Sequence, residues 1–313
     1  MDKPSKIILI SGPTASGKSN FAVKLAKKVK GEIINADSMQ VYKQLTILTA
    51  RPSKKDQRNI KHHLYGMTDV SKSFSTGQWL KLTVRKIKEI RKKKKIPILV
   101  GGTGLYFQSL VNGLAKIPNI PIKIRSKVRL MQKKNGQNEF YKKLLKLDNS
   151  IQNKFNPNDA QRSIRAYEIM LHTKISMYDW LKKTKPIFKE NNFLKLYVNF
   201  SREKLIKRIS LRTAKMLQNG AIKEVKRFSK KKLKNESSVN KVIGLNELKQ
   251  YLDNQMTLDQ VREIMAIRTR QYAKRQATWA RSKMISWTKI NPSEISSYIK
   301  KINKSSLKLD QLI

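Results

Sequence analysis

The stretch KIILISGPTASGKSNFAVKLAKKVK, residues 6–30, decides the fold. Ile7 to Ile10, framed by Lys6 and Ser11, form a continuous apolar run of the kind that makes a strand buried on both faces of a parallel sheet. Phe21, Ala22, Leu25, Ala26 and Val29 then recur at helical spacing, so residues 18–30 read as a helix. Between strand and helix, Gly12, Pro13, Thr14, Ala15, Ser16, Gly17, Lys18 and Ser19 fit the pattern G-x-x-x-x-G-K-[ST]. The backbone N–H groups of such a loop, the helix N-terminus and the Lys18 ammonium together bind a di- or triphosphate, and the Ser19 hydroxyl suits Mg²⁺.

Outward from this loop the same grammar repeats. Glu32 to Ala36 reads as a second strand, residues 78–93 as a lysine-rich helix, and Ile96 to Gly101 as a third strand closed by Gly101, Gly102 and Gly104. Strand and helix in alternation predict an α/β protein with a P-loop NTPase-like parallel sheet core. Pro118 and Pro121 then break the chain, and up to about residue 190 the periodicity is helical. Residues 119–191 are therefore read as a helical insertion domain, with 1–118 and 192–313 forming the core. Phe193 to Phe200 returns to strand character, Arg202 to about Gly220 is a helix, and the helical C-terminal part includes a long segment from Leu258 to Ser282. The tail after Pro292 carries no readable pattern.

Composition narrows the chemistry. The 313 residues include 69 Lys and Arg against 21 Asp and Glu, a formal net charge of +48 that favours a polyanionic partner through counterion release. The basic residues are spread over nearly every segment, so a merely solvated surface fits the count equally well. With no Cys there is no disulfide, thiolate metal site or cysteine nucleophile, and three His leave little for a histidine metal site. No apolar run reaches the roughly 18 residues of a membrane span, and the N-terminus lacks the order of a secretory signal, so a soluble, cytoplasmic protein is expected.

Several residues outside the loop could carry chemistry. An ordinary P-loop NTPase also holds its Mg²⁺ through an Asp at the end of a later strand, but here that strand runs into Gly101-Gly102-Thr103-Gly104. The acid sits instead at Asp37, where a carboxylate would face the second reactant, or would merely make a turn or helix cap. Thr103 stands at the sheet edge where ligands bind, and equally suits a cap. Arg208 and Arg212, one helical turn apart, either clamp a pyrophosphate or lie along the surface. On the late helix, Arg268 and Arg275 share a stripe with Val261, Met265, Tyr272 and Trp279, while Arg270, Lys274 and Arg281 form a second basic line; phosphate contact with base stacking and a core stripe edged by arginines are both open. Gln161, Arg162 and Arg165 contact RNA or face solvent. His62 and His63 read as packing or hydrogen-bonding residues.

Six segments in order, GPTASGKS (12–19), NADSMQVYK (35–43), HHL (62–64), GGTGLYF (101–107), NDAQRSIRAYEI (158–169) and TRQYAKRQATW (269–279), together resemble the bacterial tRNA dimethylallyltransferase family. The resemblance implies transfer of a dimethylallyl group from dimethylallyl diphosphate to N6 of the adenosine 3′-adjacent to the tRNA anticodon, releasing pyrophosphate with Mg²⁺, by an enzyme acting as a monomer. It implies that Gly12 to Ser19 hold the donor diphosphate, with Lys18 catalytic, that Asp37 is the base, and that Thr103 contacts the tRNA and takes part in catalysis. By the same resemblance Asp37, Ser38, Met39 and Gln40 meet the tRNA, as do Gln161, Arg162, Ser163, Ile164 and Arg165. So do Lys241, Val242, Ile243, Gly244, Leu245 and Asn246. Lys274, Arg275, Gln276, Ala277, Thr278, Trp279, Ala280 and Arg281 complete that surface, while Arg125 joins it and Arg208 and Arg212 join the diphosphate site more loosely.

The chain departs from the family pattern at Leu48, where a glycine is usual, at Asn149 for Pro and at Leu245 for Tyr. The rivals are a small-molecule kinase using the same loop, a prenyltransferase of free adenine nucleotides, and a non-catalytic RNA-binding protein. The kinase does not need the basic late helix, the nucleotide enzyme does not need the insertion, and the binding protein does not need Lys18 with Asp37.

Overall fold

The computed structural model describes residues 5–231, 237–302 and 307. Six strands, β1 (Ile7–Ser11), β2 (Gly31–Asn35), β3 (His62–His63), β4 (Ile96–Gly101), β5 (Phe193–Val198) and β6 (Thr288–Ile290), form one sheet in the order β3-β2-β4-β1-β5-β6. Every neighbouring pair is parallel. β1 and β4 are buried along their whole length, which is why both read as unbroken apolar runs. The chain divides into two compact units, one of residues 1–109 and 188–313 and one of 110–187.

In the first unit the helices between strands are α1 (Lys18–Val29), α2 (Lys54–Gln57), α3 (Thr76–Lys92) and α4 (Gly104–Asn112). α1 buries Phe21, Ala22, Leu25, Ala26 and Val29 against the sheet. α3 starts on a reciprocal cap between Ser75 and Gln78, two residues before the reading from periodicity alone, because the cap lies outside the apolar repeat. The chain passes into the second unit within α4. That unit consists of α5 (Ile122–Leu147), α6 (Ala160–Thr173) and α7 (Met177–Lys182), and its core gathers Leu144, Ile151, Ala166 and Ile169. Helical turns at Gly136 are interrupted by φ 71° and ψ 170°. Back in the first unit come α8 (Arg202–Gln218), α9 (Ala221–Ser229), α10 (Leu245–Leu252), α11 (Leu258–Lys283) and α12 (Ile295–Lys301).

Three features differ from the sequence reading. The insertion begins near residue 110 and ends at 187 rather than spanning 119–191, because the prolines follow the chain's departure instead of marking it. β3 is two residues long and carries no apolar signal, since its histidines are fixed by hydrogen bonds: His63 Nε2 lies 2.7 Å from the buried Glu32 carboxylate and His62 Nδ1 2.8 Å from Ile60 O. β6 is an edge strand with exposed Thr288 and Lys289, and only Ile290 is buried.

The sheet brings the ends of β1, β2, β4 and β5 side by side, with Ser11 in register with both Gly101 and Tyr197. At this edge Gly101 meets the backbone of Ala36 so closely that a Cβ would fall onto the Ala36 carbonyl. That carbonyl cannot withdraw, because it accepts from Thr103 N at 3.2 Å while Ala36 N donates to Val100 O at 2.8 Å. Gly101→Ala should therefore destabilise the first unit by about 3 kcal/mol or more in urea unfolding.

Candidate active site

The phosphate loop is shaped by its glycines and closed by its neighbours. Gly17 has φ 88°, and Ala15 at φ 63° also adopts the left-handed region. A Cβ at Gly12 would meet Ser16 Oγ at 3.0 Å and Val198 O at 3.1 Å, so a larger residue there would press the loop away from β5. Within the loop Ser16 N donates to Pro13 O at 3.2 Å, and Lys18 Nζ donates to the same carbonyl at 3.1 Å. Arg208 reaches across from α8: its Nε donates to Ala15 O at 2.7 Å, and its guanidinium lies 5.1 Å from the Phe200 ring centroid. Arg208 is thus a brace of the loop, not a free surface side chain.

Asp37 follows β2 directly and is held by a residue that periodicity alone overlooks. Asn35 is fully buried; its Oδ1 accepts from Asp37 N at 2.9 Å, and its Nδ2 donates to Asp37 O at 2.9 Å and to Leu64 O at 3.1 Å. The Asn35 carbonyl accepts from the indole N–H of the buried Trp79 at 2.8 Å. Both backbone groups of Asp37 are therefore fixed by one amide. Its side-chain Oδ1 accepts from Met39 N at 2.9 Å, so the expected turn role exists alongside its place in the cavity described next. Thr103 does not cap α4 through its hydroxyl: Oγ1 accepts from Ser38 N at 3.0 Å and lies 3.3 Å from Ser38 Oγ, tying the β4 turn to the Asp37 turn.

Asp37, Ser38, Met39, Thr14 and Arg212 line one cavity of about 320 Å³ with Leu48, Met216, Val242, Ile243, Met265, Tyr272 and Arg275. Its lining combines apolar side chains with the charged Asp37, Arg212 and Arg275. Burial pushes the Lys18 ammonium down from its ordinary 10.5 to about 8, Asp37 pulling it up and Arg212 pushing it further down. Burial likewise lowers the Arg212 guanidinium, with Asp37 opposing. Burial and the Asp37 charge together raise the phenols of Tyr65, Tyr106 and Tyr272, which stay protonated. Lys18, Arg212 and Asp37 thus influence one another electrostatically, with Arg212 and Asp37 lining the cavity and Lys18 within reach of both.

The residues expected on the RNA surface divide into several classes. Gln40 turns inward, its Nε2 donating to Thr49 O at 2.9 Å and Ala50 O at 3.1 Å. Lys241, Asn246 and Arg275 are exposed around a shallow hollow that also holds Ile243. The side chains of Val242 and Leu245, by contrast, are buried in the core, and Gly244 at φ 95° packs under Leu48 and Met265, so these three act through packing. Leu48 shows why its glycine is dispensable: its backbone is ordinary, and its N–H donates to the Glu224 carboxylate at 3.0 Å. Glu224 also accepts from Thr46 N and Ile47 N, making it a second positioning residue that a sequence reading missed.

On α11, Lys274, Ala277, Ala280 and Arg281 line a second cavity of about 700 Å³ with Pro13, Leu205 and Ile209, and Arg270 joins them. Ala280 is buried there, while Thr278 is exposed and accepts from Arg281 at 3.1 Å. Trp279 is half-buried, its ring packed against Gly104 where a Cβ would otherwise lie. Arg268 pairs with the buried Glu247 of α10.

Gln276 is absorbed by contacts within the protein: its Oε1 accepts from Thr14 N at 2.8 Å and its Nε2 donates to Gly102 O at 2.9 Å. In the second unit, Gln161 and Arg162 are exposed, Arg162 pairing with Asp159 at 2.6 Å, and Arg165 lies 3.3 Å from Glu168. Ile164 is half-buried. Ser163 is fully buried, donating to Asp159 O and accepting from Gln137, so its side chain is structural. Arg125 keeps a buried Nε without a partner.

The donor set around the loop fits a magnesium ion carried by phosphate oxygens. Among the described residues no group of three or more His, Asp or Glu could cage a metal, and Ser19, the second residue of α1, is exposed at the loop rim. Mg²⁺ normally keeps several waters and takes few protein ligands beside substrate phosphates, as such a rim allows.

The parallel sheet and the loop after β1 define an α/β protein of P-loop-like fold whose Asp37 carboxylate shares a cavity with Thr14 of that loop. Residues 40–283 match the family model described as IPP transferase, and the chain belongs to that family. It is similar to the tRNA dimethylallyltransferase of Pelagibacter ubique, 69% identical over 312 residues and all of both chains, and to that of Rickettsia massiliae, 42% identical over 96% of this chain and 84% of the relative. Among solved structures it resembles a tRNA isopentenylpyrophosphate transferase of Bacillus halodurans (TM-score 0.68, 30% identity, 95% of each chain). It also resembles a eukaryotic dimethylallyltransferase captured acting on tRNA (TM-score 0.82, 30% identity, 96% of this chain and 77% of that one). No described helix is long and apolar enough to cross a membrane.

The poised Lys18 makes anion binding depend on pH. Above about pH 8 the empty site loses the ammonium that a diphosphate requires, whereas an ordinary lysine would keep it to about 10.5. Relative to Lys18→Arg, whose cation keeps its charge throughout, native pyrophosphate affinity should therefore fall above about pH 8, with proton uptake on binding at alkaline pH. Calorimetry in buffers of different ionisation heat measures both.

Proposed function

We propose that the protein transfers a dimethylallyl group from dimethylallyl diphosphate to N6 of the adenosine 3′-adjacent to the tRNA anticodon. The observation that carries this reading is a cavity in which the Asp37 carboxylate stands with Thr14 of the phosphate loop and Arg212 of α8, within electrostatic reach of Lys18, with glycines where a hydrolytic P-loop enzyme keeps its second acid. Membership of the IPP transferase family supports it.

In this reading the loop N–H groups, Lys18 and Arg212 hold the donor diphosphate, and Arg208 keeps the loop in shape. Ser19 would hold Mg²⁺ together with phosphate oxygens; the ion would supply further neutralisation of the leaving group. The apolar wall of Leu48, Met216 and Met265 receives the prenyl chain and excludes water. An adenine cannot present N6 from within a stack, so the base enters the cavity extruded. The C–O bond to the diphosphate breaks, its electron pair leaving with pyrophosphate, as N6 forms the new C–N bond. The proton lost from N6 passes to Asp37, whose backbone is fixed by Asn35 for that task. The exposed cations Lys241, Lys274, Arg275 and Arg281 suit tRNA phosphates, while Gln161 and Arg162 give the insertion its own contacts. The enzyme acts as a cytoplasmic monomer.

Label transfer from dimethylallyl diphosphate to bulk tRNA, with ATP and AMP as control substrates, tests the activity. Transfer to tRNA alone is expected; ATP turnover at ordinary kinase rates of roughly 1 per second or more overturns the reading. Asp37→Asn, which keeps the hydrogen bond to Met39, should lose about 10²-fold or more in single-turnover rate while tRNA binding changes much less.

A further inference from the structure

Gln276 belongs to the exposed, basic stretch of α11, and its neighbours Lys274, Arg275 and Arg281 are exposed. Its own amide points the other way. The two ends of a glutamine amide have opposite hydrogen-bond character, and both are used here: the oxygen takes the Thr14 N–H and the nitrogen gives to the Gly102 carbonyl. Because one partner is only a donor and the other only an acceptor, the amide can sit in just one orientation. Gly102 is shaped to this contact, since a Cβ there would fall onto Gln276 Nε2.

The effect on the loop is specific. Thr14 N–H is directed at Gln276, and Ser16 N–H is directed at Pro13 O, so neither faces an incoming anion. The remaining loop N–H groups and those at the start of α1, which the helix cannot satisfy itself, are left for phosphate. A neutral amide achieves this without placing a negative charge beside the diphosphate.

We infer that Gln276 is a positioning residue of the donor site, joining the RNA-facing helix α11 to the phosphate loop through Thr14 and Gly102, and is not itself an RNA contact. The inference rests on the donor-site reading proposed above. It carries a consequence for the order of events: force or ordering applied to α11 by a bound RNA is transmitted to the first turn of the loop through a direct hydrogen bond.

The test compares the full-length native protein with Gln276→Met, which keeps length but neither hydrogen bond, using inorganic pyrophosphate with Mg²⁺ as the donor-site probe and an anticodon stem-loop RNA as the second ligand. The Met variant should lose about tenfold or more in pyrophosphate affinity while RNA affinity changes less than about threefold. Gly102→Ala, which displaces the amide from the other side, should give the same split. Gln276→Glu adds a signature that lost packing would not produce: relative to native, its pyrophosphate affinity should recover as the pH falls and the protonated carboxyl donates again to Gly102. Weakened RNA binding with unchanged pyrophosphate binding in the Met variant overturns the inference, as does a Glu variant whose deficit ignores pH. A native protein that fails to bind pyrophosphate overturns the donor-site reading and this inference with it.

Discussion

Three glycines at the end of β4 set the distances on which the active edge depends. Gly101 admits the Ala36 carbonyl, Gly102 admits the Gln276 amide, and Gly104 admits the Trp279 ring, so the β2 turn and α11 both close onto one short segment of chain. Side chains there would hold these parts away from the sheet. Asp37 and Arg275, borne on elements far apart in sequence, share a cavity with Thr14 because the β4 turn is bare.

The polar contacts extend that constraint outward. Asn35 fixes both backbone groups of Asp37, Thr103 ties Ser38 to the β4 turn, and Glu224 gathers the N–H groups of Thr46, Ile47 and Leu48. Each joins backbone to a single buried or half-buried side chain, so the walls of the cavity are positioned by hydrogen bonds and filled by Leu48, Val242 and Met265. The charged groups depend on the same carboxylate: burial lowers both Lys18 and Arg212, and Asp37 raises both, so Asp37 sustains two cations in a dehydrated setting.

The phosphate loop, the parallel core and the helical insertion were legible in sequence because their signals are local: glycines at fixed spacing, apolar runs four or five residues long, and helical periodicity. β3 and β6 were not, since their order comes from partners such as Glu32 and from edge pairing to β5. At the site, Asp37 and the loop were visible by motif. Asn35 stood inside a quoted segment without a role, and Gln276 joined the RNA surface only through the family resemblance, because a sequence shows on which stretch a side chain lies but not which way it turns. Ser163 and Ala280 joined it through the same resemblance, and the structure buries their side chains. Arg208 shows the opposite case, a residue with an open reading that a 2.7 Å bond to Ala15 O resolves.

The placement of the four tryptophans has an optical consequence. Trp79 is fully buried, stacked on Tyr106 at 4.2 Å and bonded to Asn35, two residues from Asp37. Trp279 lies on Gly104, and Trp287 meets Phe107 edge-on at 5.3 Å, while Trp180 alone belongs to the second unit. Emission from Trp79 and Trp279 thus originates beside the two turns that bound the active edge, and emission from Trp180 originates in the insertion. Trp180 is the one tryptophan of the second unit, so Trp180→Phe leaves an emission that comes from the first unit alone, and the difference from the native chain isolates the insertion without any added label.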